Sequence, residues 1–310
     1  MAEAVPVEVL ARRYGTPLYV YSRSHIESQF VALAEAMAPV NPLICYSVKV
    51  NTNAAVIGTF VELGSGADVV SSCELYRARR AGVPPSRIVF AGVGKTREEI
   101  EYALRARILF FTVESEPELD RIAECAHRLG RKARIALRAN PDVNPETHHY
   151  ISTGKKENKF GLDLRRIERA YRRAASHASL EIAGLHMHIG SQILNPAPFA
   201  RALERVAGLC RRLRTRYPTF RYLDIGGGMG IQYKPGQHPL DPRPSQPDDG
   251  GGATKAGVPR MTTVVDDKPT AYGRCHRRKA RRKVAQSPYL ASASTAVSVR
   301  GPRGHGAPAS

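Results

Sequence analysis

A handful of polar residues stand where this chain could do chemistry. In Cys45-Tyr-Ser-Val-Lys49-Val-Asn-Thr-Asn53 one lysine closes an apolar, β-rich run and precedes two asparagines. An amine at the end of a buried strand, partly stripped of water, can attack a carbonyl and form a Schiff base; the plainer reading is a lysine whose stem lies on apolar surface while its ammonium reaches solvent. In Gly184-Leu-His186-Met-His188-Ile-Gly-Ser191-Gln192 the histidines are two apart, so on a strand both face one side. Such a pair can bind a metal, one imidazole can stack on a flat aromatic ligand, or both can be core histidines bonded to backbone. No HxxxH spacing or convergent carboxylate accompanies them, and no metal is assigned. Asp224-Ile-Gly226-Gly227-Gly228-Met-Gly230 reads either as a set of backbone amides free to converge on an anion or as a plain glycine turn; it is not the GxGxxG spacing of a dinucleotide site. Arg138-Ala-Asn140-Pro-Asp142 opens a long polar connection through His148–Gly154 to Lys159-Phe-Gly161. Connections of this length are functional lids or disordered. Asp68 sits near a strand end, where it either orients a neighbouring cation or caps the next helix.

The elements that must hold these residues follow from the rhythm of the first 242 positions. Short β-rich runs recur at Leu43–Val48, Ala67–Val70, Arg87–Ala91, Ile108–Thr112, Ala133–Arg138, Glu181–His186 and Arg221–Ile225. Between them, segments such as Thr96–Arg105, Glu116–Leu129, Leu164–Ala175 and Phe199–Tyr217 space Leu, Ile, Val and Ala at three and four residues. Alternation of this kind predicts parallel strands with helical crossovers. Both a doubly wound sheet and a (β/α)8 TIM barrel fit; the length, and polar residues after so many strands, favour the barrel. Seven strands are predicted. Closure needs an eighth, and past Ile225 no further one is evident, so the barrel is expected to be incomplete. Pro17–Tyr21 is an unassigned candidate for the vacancy.

Composition changes at residue 243. Residues 243–310 contain no Ile, no Phe and only Leu290 as leucine, and carry 13 basic against 4 acidic residues. Such a stretch buries too little apolar surface to offset chain ordering, and it is read as a disordered basic tail beside a 1–242 domain. It holds +9 of the net charge of +19. Its run Arg274–Lys283 has few aromatic neighbours, so a solvated charge run is favoured over nucleic-acid binding. Five cysteines, no two closer than 28 positions, signal neither a disulfide framework nor a sulfur-ligated metal. No apolar stretch approaches the roughly 20 residues of a membrane span, Met1–Arg13 does not read as a signal peptide, and a cytoplasmic location is expected.

A lysine after strand one, an arginine after strand five, histidines after strand six and a triglycine after strand seven suit one phosphorylated aldehyde at a barrel mouth. The motifs resemble, in order, those of the pyridoxal-phosphate decarboxylases related to alanine racemase, closest to the diaminopimelate decarboxylases. They are Tyr46-Ser-Val-Lys49-Val-Asn-Thr-Asn53, Gly66-Ala-Asp68-Val-Val-Ser-Ser-Cys-Glu74-Leu, Gly92-Val-Gly-Lys95, Asn140-Pro-Asp142, His148–Gly154, Lys159-Phe-Gly161, His186–Gln192 and Asp224–Gly230. The resemblance implies pyridoxal 5'-phosphate as cofactor. It implies Lys49 as the Schiff-base lysine, His188 as the ring-stacking residue, Ser191 with Gly226, Gly227 and Gly228 on the phosphate, and Asp68 and Arg138 beside the cofactor. It implies an amino-acid substrate, decarboxylation of meso-2,6-diaminopimelate to L-lysine in lysine biosynthesis, and a homodimer. Decarboxylation of another basic amino acid, ornithine or arginine, and a non-catalytic cofactor-binding remnant are the alternatives.

The sequence also departs from that family. Its Glu-Pro-Gly-Arg motif, whose glutamate pairs with the pyridinium nitrogen, occurs nowhere in the 310 residues, nor does the later cysteine-glutamate motif of its β-rich second domain. One pK unit of lost pyridinium stabilisation is about 1.4 kcal/mol, or about tenfold in the protonated population, so poor turnover is expected. Residues 243–310 have the composition that out-of-frame translation of a GC-rich gene gives, and a frameshift or degenerate end is the expectation for them.

Overall fold

The computed structural model describes residues 1–144 and 160–240, together with the strands Thr262–Asp267 and Val297–Val299. Two compact units result, 30–268 and 1–29 with 269–310. In the larger one the seven expected runs form β1 (Leu43–Ser47), β2 (Gly66–Val69), β3 (Ile88–Phe90), β4 (Phe110–Val113), β5 (Ala133–Asn140), β6 (Leu180–Met187) and β7 (Tyr222–Asp224). Six are each followed by a helix: α1 (Ala54–Glu62), α2 (Ser72–Arg80), α3 (Arg97–Ala106), α4 (Glu116–Arg128), α5 (Leu164–Ser176) and α6 (Ala197–Arg216).

These strands pair in parallel in sequence order from β1 to β7, with β4 joined to β5 through Phe111↔Ile135 and Val113↔Leu137. The gap between β7 and β1 is bridged by β8 (Thr262–Asp267), parallel to both, with Val264 opposite Leu43 on one side and Asp224 on the other. The expected vacancy in the ring is thus filled by a strand from the segment read as disordered. The cause is local: Thr-Thr-Val-Val is β-branched, and β propensity survives there even though the surrounding composition is poor in core residues. The strand does not carry the Glu-Pro-Gly-Arg motif that the resemblance leads one to expect. The rest of 243–310, and the motifs His148–Gly154 and Lys159, lie outside the described residues, Val297–Val299 excepted.

The smaller unit contains helix Val7–Tyr14 and strand Val20–Ser22, which pairs in parallel with Val297–Val299. The Pro17–Tyr21 run is therefore not a barrel strand; its partner lies in a separate two-stranded sheet.

Helix starts are fixed by short polar side chains after the strands. Thr96 and Glu99 form a reciprocal capping box at α3, and Ser71 and Ser115 accept from the amides of Glu74 and Glu118 at α2 and α4. Side chains alternate along each strand, and the interior face divides into two layers. The lower one packs Leu43, Cys45, Val89, Leu109, Phe110, Ala136 and Ala183, with Tyr222 against them. Nearer the carboxyl ends of the strands stand Ser47, Asp68, Thr112, Arg138, His186 and Asp224, all buried. The core is thus apolar below and polar at the carboxyl ends of the strands, the end where barrels place their chemistry.

Candidate active site at the barrel mouth

Lys49 lies in a single 3-10 turn, Val48–Val50, directly after β1. Tyr46 stacks on Phe60 at 4.3 Å and donates from its hydroxyl to the Asn51 carbonyl (3.0 Å), while the Asn51 side chain accepts from the amide of Asn53. The two asparagines therefore shape the turn, and Asn53 also caps α1. The Lys49 side chain is 48% exposed, in keeping with the plainer reading of a lysine that reaches solvent, and its Nζ stands 3.7 Å from Asp68 Oδ2. Ser47 Oγ donates to the same oxygen (3.1 Å). The other oxygen, Oδ1, is buried without a hydrogen-bond partner. Burial pushes the Asp68 carboxyl up from its ordinary value, and the Lys49 ammonium and the Ser47 hydroxyl pull against it.

Across the mouth, Arg138 on β5 offers Nη1 to both oxygens of Glu114 (2.8 and 3.0 Å) and Nη2 to the carbonyl of His188 (3.4 Å). Its guanidinium lies 5.3 Å from the centre of the Phe160 ring. The two histidines part company. His186 is buried opposite Asp224 of β7, with Nε2 3.9 Å from Oδ1, and burial drives it well below its ordinary pKa, helped by the cations of Arg138, Lys95 and Lys49 and by His188. Burial thus favours its uncharged form. Strand register sets Arg138 beside His186, His186 beside Asp224 and Ser47 beside Asp68, so both clusters stand at the same end of one sheet. His188, just past β6, is half-buried, and its Nδ1 accepts from the amide of Gly227 (3.4 Å).

The glycine loop is clamped. Asp224 Oδ1 accepts from the amide of Gly226 (2.8 Å), and Ile193 exchanges hydrogen bonds with Gly228 and Gly230. Gly226 and Gly228 have positive φ; a Cβ on Gly226 would stand 2.6 Å from the Met187 carbonyl oxygen, and one on Gly228 would overlap the carbonyl of Gly190. Only glycine permits this approach, which brings the loop against Ser191. Two amides of the loop are engaged within the protein, Gly226 on Asp224 Oδ1 and Gly227 on His188 Nδ1, which ties the loop to the ends of β6 and β7.

Sequence reasoning missed the interior charges behind Arg138. Glu114 holds its guanidinium, Glu118 accepts from the Glu114 amide (2.8 Å), and Lys95 is wholly buried against Glu118 (2.6 Å). Lys95 closes the Gly92-Val-Gly-Lys95 motif, whose spacing assigns it no role, and Ser115-x-x-Glu118 is a capping pattern that marks Glu118. Glu114 carries no sequence signal.

Residues 23–246 match the model of the pyridoxal-dependent decarboxylases, over the part described as the pyridoxal binding domain. The chain belongs to the pyridoxal-dependent decarboxylases. It is 51% identical over 233 residues to the diaminopimelate decarboxylase of Aquifex aeolicus, an alignment covering 75% of this chain and 55% of that protein. With the diaminopimelate decarboxylase of Pseudomonas aeruginosa it shares 48% over 239 residues, 77% of this chain and 58% of the relative. The crystal structure of the Helicobacter pylori diaminopimelate decarboxylase complexed with L-lysine superposes with a TM-score of 0.79 at 39% identity, over 84% of this chain and 66% of that one. The chain thus spans little more than half the length of the curated relatives it matches. The family match ends at residue 246, before β8.

Family membership makes pyridoxal phosphate the cofactor, and the mouth suits it. A buried carboxylate oxygen on Asp68 awaits a donor, a lysine stands beside it, and the glycine loop admits no Cβ at Gly226 or Gly228. Among the described residues, no three His, Cys, Asp or Glu side chains converge to hold a metal ion, and no helix is long and apolar enough to cross a membrane.

Proposed function

We propose that this barrel holds pyridoxal phosphate at Lys49 and serves the decarboxylation of meso-2,6-diaminopimelate to L-lysine. One observation carries the reading: at the carboxyl ends of β1, β2, β5, β6 and β7 stand an amine, a buried carboxylate, a guanidinium, an imidazole and a glycine loop. The cofactor, when bound, supplies an electron sink for the bond that breaks.

The chain's own residues do the rest. Lys49 is the attachment amine, held within reach of Asp68, whose carboxylate keeps the ammonium oriented until it gives up its proton. His188 offers a ring face at the mouth, its Nδ1 fixed by Gly227. Gly226–Gly228 and Ser191 would receive the phosphate. Arg138, anchored by Glu114, would hold a positive charge at the side of a bound cofactor, and His186, whose pKa burial lowers, would add none. Diaminopimelate is favoured over ornithine or arginine by the identities of 51% and 48% to diaminopimelate decarboxylases. On this chain alone turnover is expected to be low, and a homodimer is the expected assembly.

The test is covalent. Borohydride reduction of the protein with pyridoxal phosphate should leave a reduced pyridoxyl group on the Lys49 peptide, and Lys49→Ala should lose it. An unlabelled peptide in the parent protein would remove the reading. Product analysis with diaminopimelate, ornithine and arginine then ranks the substrates, and light scattering measures the assembly.

A further inference from the structure

Lys95 is the least expected residue in the interior. Its side chain has no exposed surface, and its ammonium donates to the Gly92 carbonyl (2.6 Å), the Thr112 carbonyl (2.8 Å) and Glu118 Oε1 (2.6 Å), so all three N–H bonds are used. The Phe90 ring lies 5.7 Å away. An apolar side chain of similar length would fill this place without the desolvation cost of a buried ammonium. The charge therefore needs a reason beyond filling space, and the contacts beyond Glu118 supply one.

Glu118 takes Lys95 on one oxygen and the amide of Glu114 on the other. Glu114 in turn holds Arg138 Nη1 with both oxygens, Arg138 Nη2 reaches the His188 carbonyl, and His188 Nδ1 receives the Gly227 amide. This belt passes from the loop after β3, past the ends of β4, β5 and β6, to the loop after β7. Its side chains carry two cations and two carboxylates, a neutral set. Without Lys95, two buried carboxylates would compete for the single guanidinium of Arg138 and draw it from His188.

We propose that Lys95 is a positioning residue for the cofactor pocket: by neutralising Glu118 it fixes Glu114, and through Glu114 it sets where Arg138 and His188 stand. This rests on the reading that Arg138 and His188 face the cofactor, and it adds a residue that touches neither cofactor nor substrate.

The test is a cycle on the full chain, read as the dissociation constant for pyridoxal phosphate by absorbance titration. Lys95→Met should weaken binding about tenfold in the parent background and less than twofold in an Arg138→Met background, because the effect travels through the guanidinium. Equal losses in both backgrounds would mean that Lys95 merely supports the fold, and a loss below twofold in the parent would also overturn the proposal. If Lys95→Met does not fold, the charge-balanced Lys95→Met/Glu118→Gln pair decides instead: with the uncompensated carboxylate gone it should bind within about twofold of the parent, and a tenfold loss in the pair would overturn the proposal. Failure of the underlying reading shows separately, as an absence of cofactor binding or of Lys49 labelling in the parent protein.

Discussion

The lower and upper layers of the barrel interior are made by the same strands two residues apart, yet they answer to different demands. Leu43 and Cys45 lead to Ser47 on β1, Phe110 to Thr112 on β4, Ala136 to Arg138 on β5, and Tyr222 to Asp224 on β7. Below, packing alone sets the residue, and close-packed apolar side chains supply stability. Above, buried carboxylates, a neutral histidine and a guanidinium are held in place by one another, an arrangement that costs stability and gains a fixed electrostatic environment. If that division is right, changes below should alter folding and spare cofactor affinity, while changes above should do the reverse.

The sharpest break below is Phe110→Ala. Phe110 is fully buried, its ring 5.6 Å from that of Tyr222, and truncation leaves a cavity that the ring of strands cannot collapse around. A loss of about 3–5 kcal/mol in urea unfolding is expected, with cofactor affinity of the folded fraction unchanged within about twofold. A large affinity loss in folded protein would show that the layers are not separable.

Above, Gly228→Ala tests the cradle. Its Cβ would meet the Gly190 carbonyl in a backbone conformation with φ of 103°. The strain or loop displacement, about 3 kcal/mol, should appear as about a hundredfold weaker binding of pyridoxal phosphate. Pyridoxal, which lacks the phosphate, should bind nearly as before. Comparable losses for both ligands would take the phosphate away from this loop.

The same division explains what could be read in advance. Strands and helices of the barrel were legible because burial on both faces writes continuous apolar runs and crossovers write a helical period; all seven predicted strands fall within two residues of their observed ends. Lys49, Asp68, Arg138, His188, Ser191 and the glycines stood out by type and position. The belt behind them did not, because Lys95, Glu114 and Glu118 come from two loops and a helix whose approach only the closed sheet creates. Strand β8 was hidden for another reason: four β-branched residues inside a Pro-, Gly- and Arg-rich stretch are too few to register as a strand until two neighbours leave a gap of the right width.

A smaller effect separates the layers by pH. His186 is held neutral by burial, with its folded pKa well below the ordinary 6.5. An unfolded chain takes up a proton there as pH falls below about 6.5 while the folded one does not, so stability is complete above that pH and declines beneath it. This one group contributes a slope of up to about 1.4 kcal/mol per pH unit. Urea midpoints of cofactor-free protein between pH 7 and 5 should show it, and His186→Asn should flatten it; an unchanged slope in the variant would assign the acid sensitivity elsewhere.

The smallest effect runs opposite to the usual direction for a buried substitution. Asp68 has a raised folded pKa because burial outweighs the help of Lys49 and Ser47, and one of its oxygens is unsatisfied. A carboxyl whose folded pKa lies above its unfolded value adds no cost below the unfolded value, where both states are protonated; the cost grows as pH rises toward the folded pKa. Asp68→Asn removes it, so cofactor-free protein should gain about 1 kcal/mol at pH 7 and almost nothing near pH 4. The same variant deprives Lys49 of its only nearby carboxylate among the described ion pairs, and borohydride labelling of that lysine should slow. A destabilised Asn variant at neutral pH would mean that the Lys49–Asp68 pair supports the fold as the lower layer does, and the boundary between the two layers would move up to the ends of β1 and β2.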